Sequence, residues 1–300
     1  MASALRLEPP LRLVRAQEGP AGDWLASLPA LAEEMLGRWE LTAERVVAPG
    51  GRAGLIVLVR CADGSPAALK VSAPGSPAEL ENAALRRWDG RGAVRVLRCA
   101  PESGALLLER AHGEVSLRSL PEAKAMLETV SAGHRLWVDP GEYPFPTVAE
   151  RTAAGAAAMR TAAVEPELRP LVDEALAERD RLLETATERF LLHGDLRQGA
   201  VLASDSGRSP WLAVGPEPVV GERAFDLARL ARDRLHDLIA SPGGASLTRR
   251  RVAALSESVE VTPERLRGWA LYRAVDSAIR HLAAGQRQDA ELLLEFAAWL

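Results

Sequence analysis

The sequence predicts an α+β fold in which a small strand-rich lobe comes first and a larger helical lobe follows. Short apolar runs separated by turn residues fill residues 44–115, a pattern that is typical of β-strands. After about residue 113 the apolar residues recur at helical spacing, in long segments rich in Ala, Leu, Glu and Arg. We therefore expect a sheet-rich lobe over residues 1–112, with a helical segment near its start, and a helical lobe over residues 113–300.

The predicted first lobe begins with a helix and continues as a sheet. Apolar residues from Trp24 to Trp39 lie at helical spacing after a start rich in Pro and Gly. The predicted strands are short apolar runs that begin near Glu44 and then cover residues 53–61, 67–71, 94–99 and 105–109. Asp63-Gly64 is a hairpin turn signal between two of these runs. Residues 77–88 start with Pro and have helical spacing, so we expect a five-stranded antiparallel sheet with one inserted helix.

The second lobe is predicted to be helical except for one hairpin. The predicted helices share apolar residues at helical spacing and cover residues 121–137, 147–161, 166–189, 224–239, 248–259, 263–284 and 288–300. Between residues 190 and 215, short apolar pieces surround a turn from Asp205 to Gly207. This arrangement predicts a small β-hairpin whose first strand begins near Val201 and whose second strand ends near Val214.

The composition excludes several classes of function. The chain has 37 Lys and Arg against 41 Asp and Glu, for a formal net charge of −4, and 47% of its residues are hydrophobic. This balance offers no positive surface for nucleic acid or for an anionic membrane. The apolar runs are far shorter than the roughly 20 residues that span a bilayer, and residues 1–20 do not resemble a leader segment. Two cysteines, Cys61 and Cys99, are too few for a disulfide framework, so we expect a reducing, cytoplasmic setting.

A carboxylate flanked by glycine precedes the predicted hairpin, in the loop His193-Gly194-Asp195. Antiparallel pairing of the hairpin strands places residues 200 and 215 side by side at its open end. A carboxylate in such a loop suits a general base or a metal ligand. The alternative is an Asx-type turn, in which Asp195 hydrogen-bonds its own backbone. The loop residues favour neither interpretation over the other.

The wider segment resembles a known family. Residues 190–235, with LLHGDLRQGAVL and WLAVGPEPVVGERAFDLARL, resemble the aminoglycoside phosphotransferase superfamily, and within it the streptomycin 6-phosphotransferase/hydroxyurea phosphotransferase branch. Upstream, AALKV, ENAALRRWDGRGAVRVL and ALLLER agree in order and spacing, so the resemblance covers roughly residues 40–240. It implies a protein-kinase-like fold with two lobes and ATP held between them. It also implies transfer of the γ-phosphoryl group to a hydroxyl of a small molecule, of which an aminoglycoside is one candidate.

The resemblance assigns roles to residues that match the family's motifs. Lys70 matches the lysine that contacts the nucleotide phosphates, and Glu81 matches the helix carboxylate that pairs with it. Asp195 matches the catalytic aspartate, which accepts or orients the proton of the attacking hydroxyl. His193 and Asp226 match residues that support the catalytic loop.

The resemblance adds two further residues to the implied nucleotide site, and several of its assignments have a purely structural alternative. Glu109 and Arg110 lie in the segment that connects the lobes, where backbone groups of the family meet adenine. Outside the motifs, Lys70 is an ordinary solvent-facing strand residue and Glu81 an ordinary surface glutamate. Asp226 is predicted in the first turn of a helix, where a carboxylate is favourable whatever its function.

Two positions depart from the family's pattern. Ala200 stands where the family has an asparagine metal ligand, and Gly215 where it has a metal-binding aspartate. Neither residue has a side-chain oxygen, which magnesium requires. Glu217 and Gln198 could each supply a replacement oxygen, and Glu217 is the better candidate because it is charged. The alternative, which we favour, is that both side chains face solvent and bind no metal. Each lost ligand is expected to cost about 2–4 kcal/mol. At about 1.4 kcal/mol per tenfold change in rate, the two losses together would slow the transfer by roughly a thousandfold or more.

Two hypotheses of different classes follow from these residues. The first is a small-molecule kinase that uses ATP and is weakened by the two missing ligands. The second is a pseudokinase that binds a nucleotide or a protein partner and acts as a regulatory or scaffold protein. Ala200 and Gly215 favour the second hypothesis, whereas the retained acidic and lysine residues of the motifs favour a maintained nucleotide site.

Overall fold

The computed structural model describes residues 6–17, 22–73 and 78–300. The chain divides into two compact units, each made of two segments. The first unit, which we call the sheet unit, comprises Met1–Ser116 and Leu202–Glu217. The second, the helical unit, comprises Leu117–Val201 and Pro218–Leu300.

The sheet unit begins with two helices, α1 (Leu11–Gln17) and α2 (Gly22–Arg38). The apolar face of α2 buries Leu28, Ala32 and Met35 in the core of this unit, together with the inward-facing side chains of the sheet. The periodicity between Trp24 and Trp39 therefore predicted this helix correctly.

The main sheet has five antiparallel strands in the order β1-β2-β3-β5-β4. Its strands are β1 (Thr42–Val46), β2 (Gly54–Arg60), β3 (Pro66–Ser72), β4 (Val96–Ala100) and β5 (Ala105–Glu109). One helix, α3 (Ala78–Trp88), lies between β3 and β4 along the chain. The predicted five-stranded sheet with one inserted helix is thus confirmed, although Pro77, the predicted first residue of that helix, lies outside the described residues.

Five further strands follow among the described residues, four of them only three residues long. They are β6 (His112–Ser116), β7 (Phe190–Leu192), β8 (Val201–Ala203), β9 (Trp211–Ala213) and β10 (Val219–Gly221). β7 pairs with β10 in the helical unit, and β6, β8 and β9 form a three-stranded sheet. The sequence placed the hairpin of β8 and β9 in the helical lobe. In the structure, residues 202–217 belong to the sheet unit, because Ala203 pairs with His112 and Ala213 bridges to Ala93.

The helical unit contains eight helices among the described residues, most of them where helical spacing predicted them. They are α4 (Glu122–Leu136), α5 (Val148–Thr161), α6 (Arg169–Glu184), α7 (Arg223–Ala231), α8 (Leu235–Ala240), α9 (Gly244–Val259), α10 (Pro263–Ala283) and α11 (Arg287–Ala298). The single helix predicted over residues 224–239 is two helices, because Arg234 adopts a left-handed backbone conformation with φ of 55°. α10 is the central helix and buries Trp269 and Tyr272.

Within the three described ranges, no helix combines the length and the apolar character that crossing a bilayer requires.

Candidate active site

Lys70 and Glu81 form a buried ion pair in the sheet unit. Lys70 lies on β3, whose alternation sends Leu69 and Val71 into the core and Lys70 to the opposite face. Glu81 lies on the buried face of α3, one turn before Leu85. The Lys70 ammonium donates a hydrogen bond to Oε2 of Glu81, and the two side chains are only 12% and 4% exposed. The structure therefore brings together the two residues that the motifs paired, and neither is an ordinary surface residue.

This ion pair leaves hydrogen-bonding capacity unused. An ammonium group has three donors, of which Glu81 takes one. The other carboxylate oxygen of Glu81, Oε1, is buried and accepts no hydrogen bond from the described residues. A buried lysine with remaining donors, anchored by a carboxylate, can bind an anionic oxygen such as that of a phosphate.

Glu109 and Arg110, at the end of β5, use their side chains inside the sheet unit. Oε2 of Glu109 accepts from Nη2 of Arg208 at 2.5 Å and from the backbone N–H of Arg95 at 3.0 Å. Arg110 donates to Glu44, and this hydrogen bond is the largest cause of the lowered pKa of Glu44. The expected contact with adenine therefore depends on backbone groups, and it stays a prediction.

Asp226 holds the backbone of the loop that follows β7 in the helical unit. It is fully buried in the first turn of α7. Its Oδ1 accepts from the N–H of Gly194 at 2.7 Å, and its Oδ2 accepts from the N–H of His193 at 2.9 Å. The indole Nε1 of Trp137 donates to Oδ2 as well, at 3.0 Å. Gly194 has φ of 80°, which an L residue adopts only with strain, so glycine suits this turn.

Asp195 projects from this loop and is paired with two arginines. Nε of Arg229 donates to Oδ1 at 2.9 Å, and Nε of Arg197 donates to Oδ2 at 2.8 Å. The backbone N–H of Asp195 donates to Nδ1 of His193 at 3.3 Å, which links the two residues of the loop. Both carboxylate oxygens therefore bind guanidinium groups rather than the adjacent backbone, so the Asx-turn interpretation of Asp195 is wrong.

The arginines keep Asp195 ionised. Burial alone raises the pKa of Asp195, but the charges of Arg229 and Arg197 and the hydrogen bond from Arg197 outweigh it. The net result is a pKa well below the usual range of an aspartate. Asp195 is thus a negatively charged hydrogen-bond acceptor at neutral pH, and only a weak base.

This shift predicts how Asp195 affects stability as pH changes. Because its folded pKa lies below the unfolded value of about 3.9, its stabilising contribution is complete above that pH and declines as the pH falls further. We expect the difference in unfolding free energy between the wild type and Asp195→Asn to be constant from about pH 7 to 5 and to shrink below about pH 4. Urea unfolding across this range measures it, with Asp237→Asn, at an exposed position in α8, as the matched control. A difference that grows on acidification would contradict the prediction.

Three arginines that contact the loop were not predicted from the sequence. Both Arg197 and Arg229 lie within the quoted motifs. Arg197 comes two positions after Asp195, and Arg229 comes three positions after Asp226. Arg273, on α10, donates to the carbonyl oxygen of Gly194 at 2.9 Å from a position 79 residues away. Only the fold brings Arg273 to the loop, since its sequence neighbours indicate nothing unusual.

The positions expected to hold magnesium do not fit this ion. Ala200 is buried and Gly215 is exposed with φ of 63°, and neither has a side-chain oxygen. Gln198, one candidate for compensation, is fully buried, so the solvent-facing position expected for it is wrong. Its Oε1 accepts from Nε of Arg234 at 2.8 Å. Glu217 is exposed in the sheet unit, and its role as a ligand stays a prediction.

Within the described ranges, no group of three or more His, Cys, Asp or Glu side chains is placed to share a metal ion. The carboxylate of Asp195, for which the loop residues alone left a metal-ligand role open, is paired with two guanidinium groups.

Known proteins of one family are similar to this chain over most of its length. Residues 38–285 match the model of the family Aminoglycoside/hydroxyurea antibiotic resistance kinase. Streptomycin 6-kinase of Streptomyces glaucescens is 33% identical over 276 residues, which cover 90% of this chain and 87% of that protein. Hydroxyurea phosphotransferase of Kitasatospora aureofaciens is 36% identical over 296 residues, covering 93% of this chain and 82% of that protein.

Solved structures show the same fold at low sequence identity. A thermostable mutant of aminoglycoside phosphotransferase APH(4)-Ia, in complex with ADP and hygromycin B, has a TM-score of 0.61 at 20% identity, covering 89% of this chain and 96% of that one. Choline kinase LicA of Streptococcus pneumoniae has a TM-score of 0.62 at 12% identity, covering 90% and 99%. The chain has the protein-kinase-like fold that the motifs implied. By its family match and its relatives, it belongs to the aminoglycoside/hydroxyurea antibiotic resistance kinases.

Proposed function

We propose that this chain binds ATP and transfers its γ-phosphoryl group to a hydroxyl of a small molecule. In this proposal Lys70 and Glu81 bind the nucleotide phosphates, the backbone of Glu109 and Arg110 contacts adenine, and Asp195 lies beside the acceptor hydroxyl. The observation that carries the proposal is the loop of Asp195, which Asp226 anchors through hydrogen bonds to the backbone N–H groups of His193 and Gly194. A loop anchored by a buried carboxylate keeps a reactive side chain in one position.

The low pKa of Asp195 defines what it can do to the acceptor. A carboxylate offers about four acceptor positions, and the two arginines occupy two of them. The remaining positions can accept the hydroxyl proton as a hydrogen bond and so orient the hydroxyl oxygen. Since ATP, when bound, supplies an electrophilic phosphorus that reacts through a loose transition state, orienting the hydroxyl matters more than removing its proton early.

Lys70 contributes a fixed positive charge near the phosphates. The buried Glu81 carboxylate holds the ammonium group in place, so that little entropy is lost when the ammonium binds an anion. No step in this proposal depends on a magnesium ion, because Ala200 and Gly215 offer it no side-chain oxygen. We therefore expect slower transfer than a full set of metal ligands would allow.

The names of the relatives define the acceptors to try first. Streptomycin, hydroxyurea and hygromycin B appear in the names of related proteins or in the complexes that they form. Each carries a hydroxyl group. We propose that the acceptor of this chain belongs to the same kinds of compound, with an aminoglycoside as the first candidate.

A second candidate function is nucleotide binding without transfer, in a protein that regulates or scaffolds a protein partner. The specific observation in its favour is the pairing of both Asp195 oxygens with guanidinium groups, which competes with an incoming hydroxyl. The missing side-chain oxygens at Ala200 and Gly215 favour it as well.

One experiment separates the two candidates. ATP is titrated with and without magnesium while thermal unfolding is followed, and phosphate transfer is then assayed on streptomycin, hydroxyurea and hygromycin B. A rise in Tm with ATP together with turnover on one acceptor supports the phosphotransferase. A rise in Tm without turnover on any acceptor supports nucleotide binding alone. No rise in Tm and no turnover contradicts both candidates.

The role of Lys70 is tested separately. We expect Lys70→Met to weaken ATP binding by about tenfold or more, because a hydrogen bond between charged groups contributes about 1.5–3 kcal/mol. The double variant Lys70→Met/Glu81→Gln also removes the buried carboxylate charge, so that a folding defect does not mimic the effect. Lys124→Met, on the exposed surface of α4, is the matched control. Calorimetric titration with ATP measures the dissociation constants, and an unchanged value in the double variant would show that Lys70 is not at the nucleotide.

A further inference from the structure

The loop that carries Asp195 is held at its end as well as at its beginning. We call residues 193–198 the Asp195 loop. The backbone N–H groups of its first two residues donate to Asp226. At the other end of the loop, the backbone N–H of Gln198 donates to Oδ2 of Asp233 at 2.5 Å. Two buried carboxylates therefore hold the backbone on either side of Asp195.

The groups that contact the Asp195 loop come from α7 and the turn directly after it. Asp226, in the first turn of α7, contacts the beginning of the loop, and Arg229 contacts Asp195 in the middle. Asp233, two residues beyond the last residue of α7, contacts the end. The three positions are separated by three and four residues, the spacing at which side chains share one face of a helix. A single stretch of chain thus sets the position of both ends of the loop.

The backbone of Asp233 is itself fixed. Arg251, on α9, has a side chain that is 9% exposed, and its Nη1 donates to the carbonyl oxygen of Asp233 at 2.7 Å. Nη1 of Arg251 also donates to the carbonyl oxygen of Ala231, at 3.1 Å. The next residue, Arg234, donates from Nε to the side chain of Gln198 and from Nη2 to two backbone carbonyls before α4. Two consecutive residues therefore hold both the backbone and the side chain of Gln198.

Asp233 offers two separate properties to the loop, a hydrogen-bond acceptor and a negative charge. Burial raises the pKa of Asp233, and the hydrogen bond from Gln198 and the charges of Arg229 and Arg197 offset only part of this effect. Ionisation of this carboxyl group is therefore unfavourable in the folded chain. An asparagine side chain has the same shape and accepts the same hydrogen bond without that cost, so substitution can separate the two properties.

We propose that Asp233 is a positioning residue for phosphate transfer. By accepting from the N–H of Gln198, it fixes the end of the Asp195 loop and so keeps the carboxylate of Asp195 directed at the acceptor hydroxyl. This inference rests on the proposed function and deepens it. Asp233 acts through the loop, and a displacement of the reacting groups by about 1 Å is enough to slow a reaction by about a hundredfold.

Hydrogen exchange tests the anchor without any activity. It is followed by mass spectrometry on the full chain, in the peptide that covers residues 195–200. We expect Asp233→Ala to exchange these amides about tenfold faster than the wild type, because the N–H of Gln198 loses its acceptor. Asp233→Asn should exchange nearly as the wild type does. Asp237→Ala, at an exposed position four residues further on, is the matched control. Equal exchange in Asp233→Ala and the wild type overturns the proposal.

Steady-state kinetics test the effect on the reaction. In Asp233→Ala, kcat is expected to fall by about tenfold to a hundredfold, while the KM for ATP stays within about twofold, because the loop positions the acceptor oxygen and not the nucleotide. Asp233→Asn should restore kcat to within about threefold of the wild-type value. An unchanged kcat in Asp233→Ala despite faster exchange overturns the proposal. Equal losses in the alanine and asparagine variants overturn it as well, since the charge would then be the cause.

Two further measurements keep the outcomes distinct. Thermal unfolding verifies that each variant folds, and Asp233→Val, which also lacks an acceptor but fills more of the space, replaces the alanine variant if that one is unfolded. Faster exchange in the variant without an acceptor, together with no turnover by the wild type on any compound of the panel, contradicts the proposed function alone and supports the anchor.

Discussion

Replacing Asp195 with asparagine is expected to lower phosphate transfer by about a hundredfold to ten-thousandfold. The amide has no negative charge to attract the hydroxyl proton and has one acceptor oxygen in place of two. That oxygen has two acceptor positions, for which Arg197, Arg229 and the acceptor hydroxyl would compete. Steady-state kinetics with ATP and the acceptor found in the panel measure the effect, which should appear in kcat more than in KM because the carboxylate acts on the reacting oxygen.

The matched control for Asp195 is Asp205→Asn, in the turn of the hairpin. Its carboxylate is 89% exposed and pairs with His112, and the substitution is expected to leave kcat within about twofold of the wild-type value. Thermal unfolding of both variants verifies that they fold. Turnover by Asp195→Asn above about a tenth of the wild-type rate would show that this carboxylate does not act on the hydroxyl.

Replacing Asp226 with alanine is expected to lower the free energy of unfolding by about 3–5 kcal/mol. The carboxylate accepts three hydrogen bonds, from the N–H groups of His193 and Gly194 and from the indole of Trp137. Alanine leaves all three donors without this acceptor in a fully buried position, and each buried donor without a partner costs about 1–3 kcal/mol. Urea unfolding measures the change.

The same substitution at an exposed aspartate provides the comparison. Asp237→Ala, in α8, should change the free energy of unfolding by no more than about 0.5 kcal/mol. A loss below about 1 kcal/mol in Asp226→Ala would mean that other groups, or water, satisfy the loop backbone. Asp226 would then be a helix N-terminal carboxylate without a special role in the loop.

Local patterns in the sequence determined most of the secondary structure. Apolar residues recur with the period of the element whose face is buried: every second residue in a strand and every three to four residues in a helix. The first pattern is strong in β2 and β3 of the main sheet, and the second is strong along α10. These patterns do not reveal an element that buries no face. β6 was missed because all five of its residues are at least partly exposed, so its strand conformation follows from pairing with β8.

By itself, the sequence determined the family, the kinase-like fold and the pairing of Lys70 with Glu81, since each depends on short motifs in a set order. The tertiary structure alone decided the electrostatic setting of Asp195. Arg229 reaches this carboxylate from 34 residues away, and Arg273 reaches Gly194 from 79 residues away. Charge interactions depend on distance in space, and packing of α7 and α10 against the loop sets those distances without leaving a pattern in the neighbouring residues.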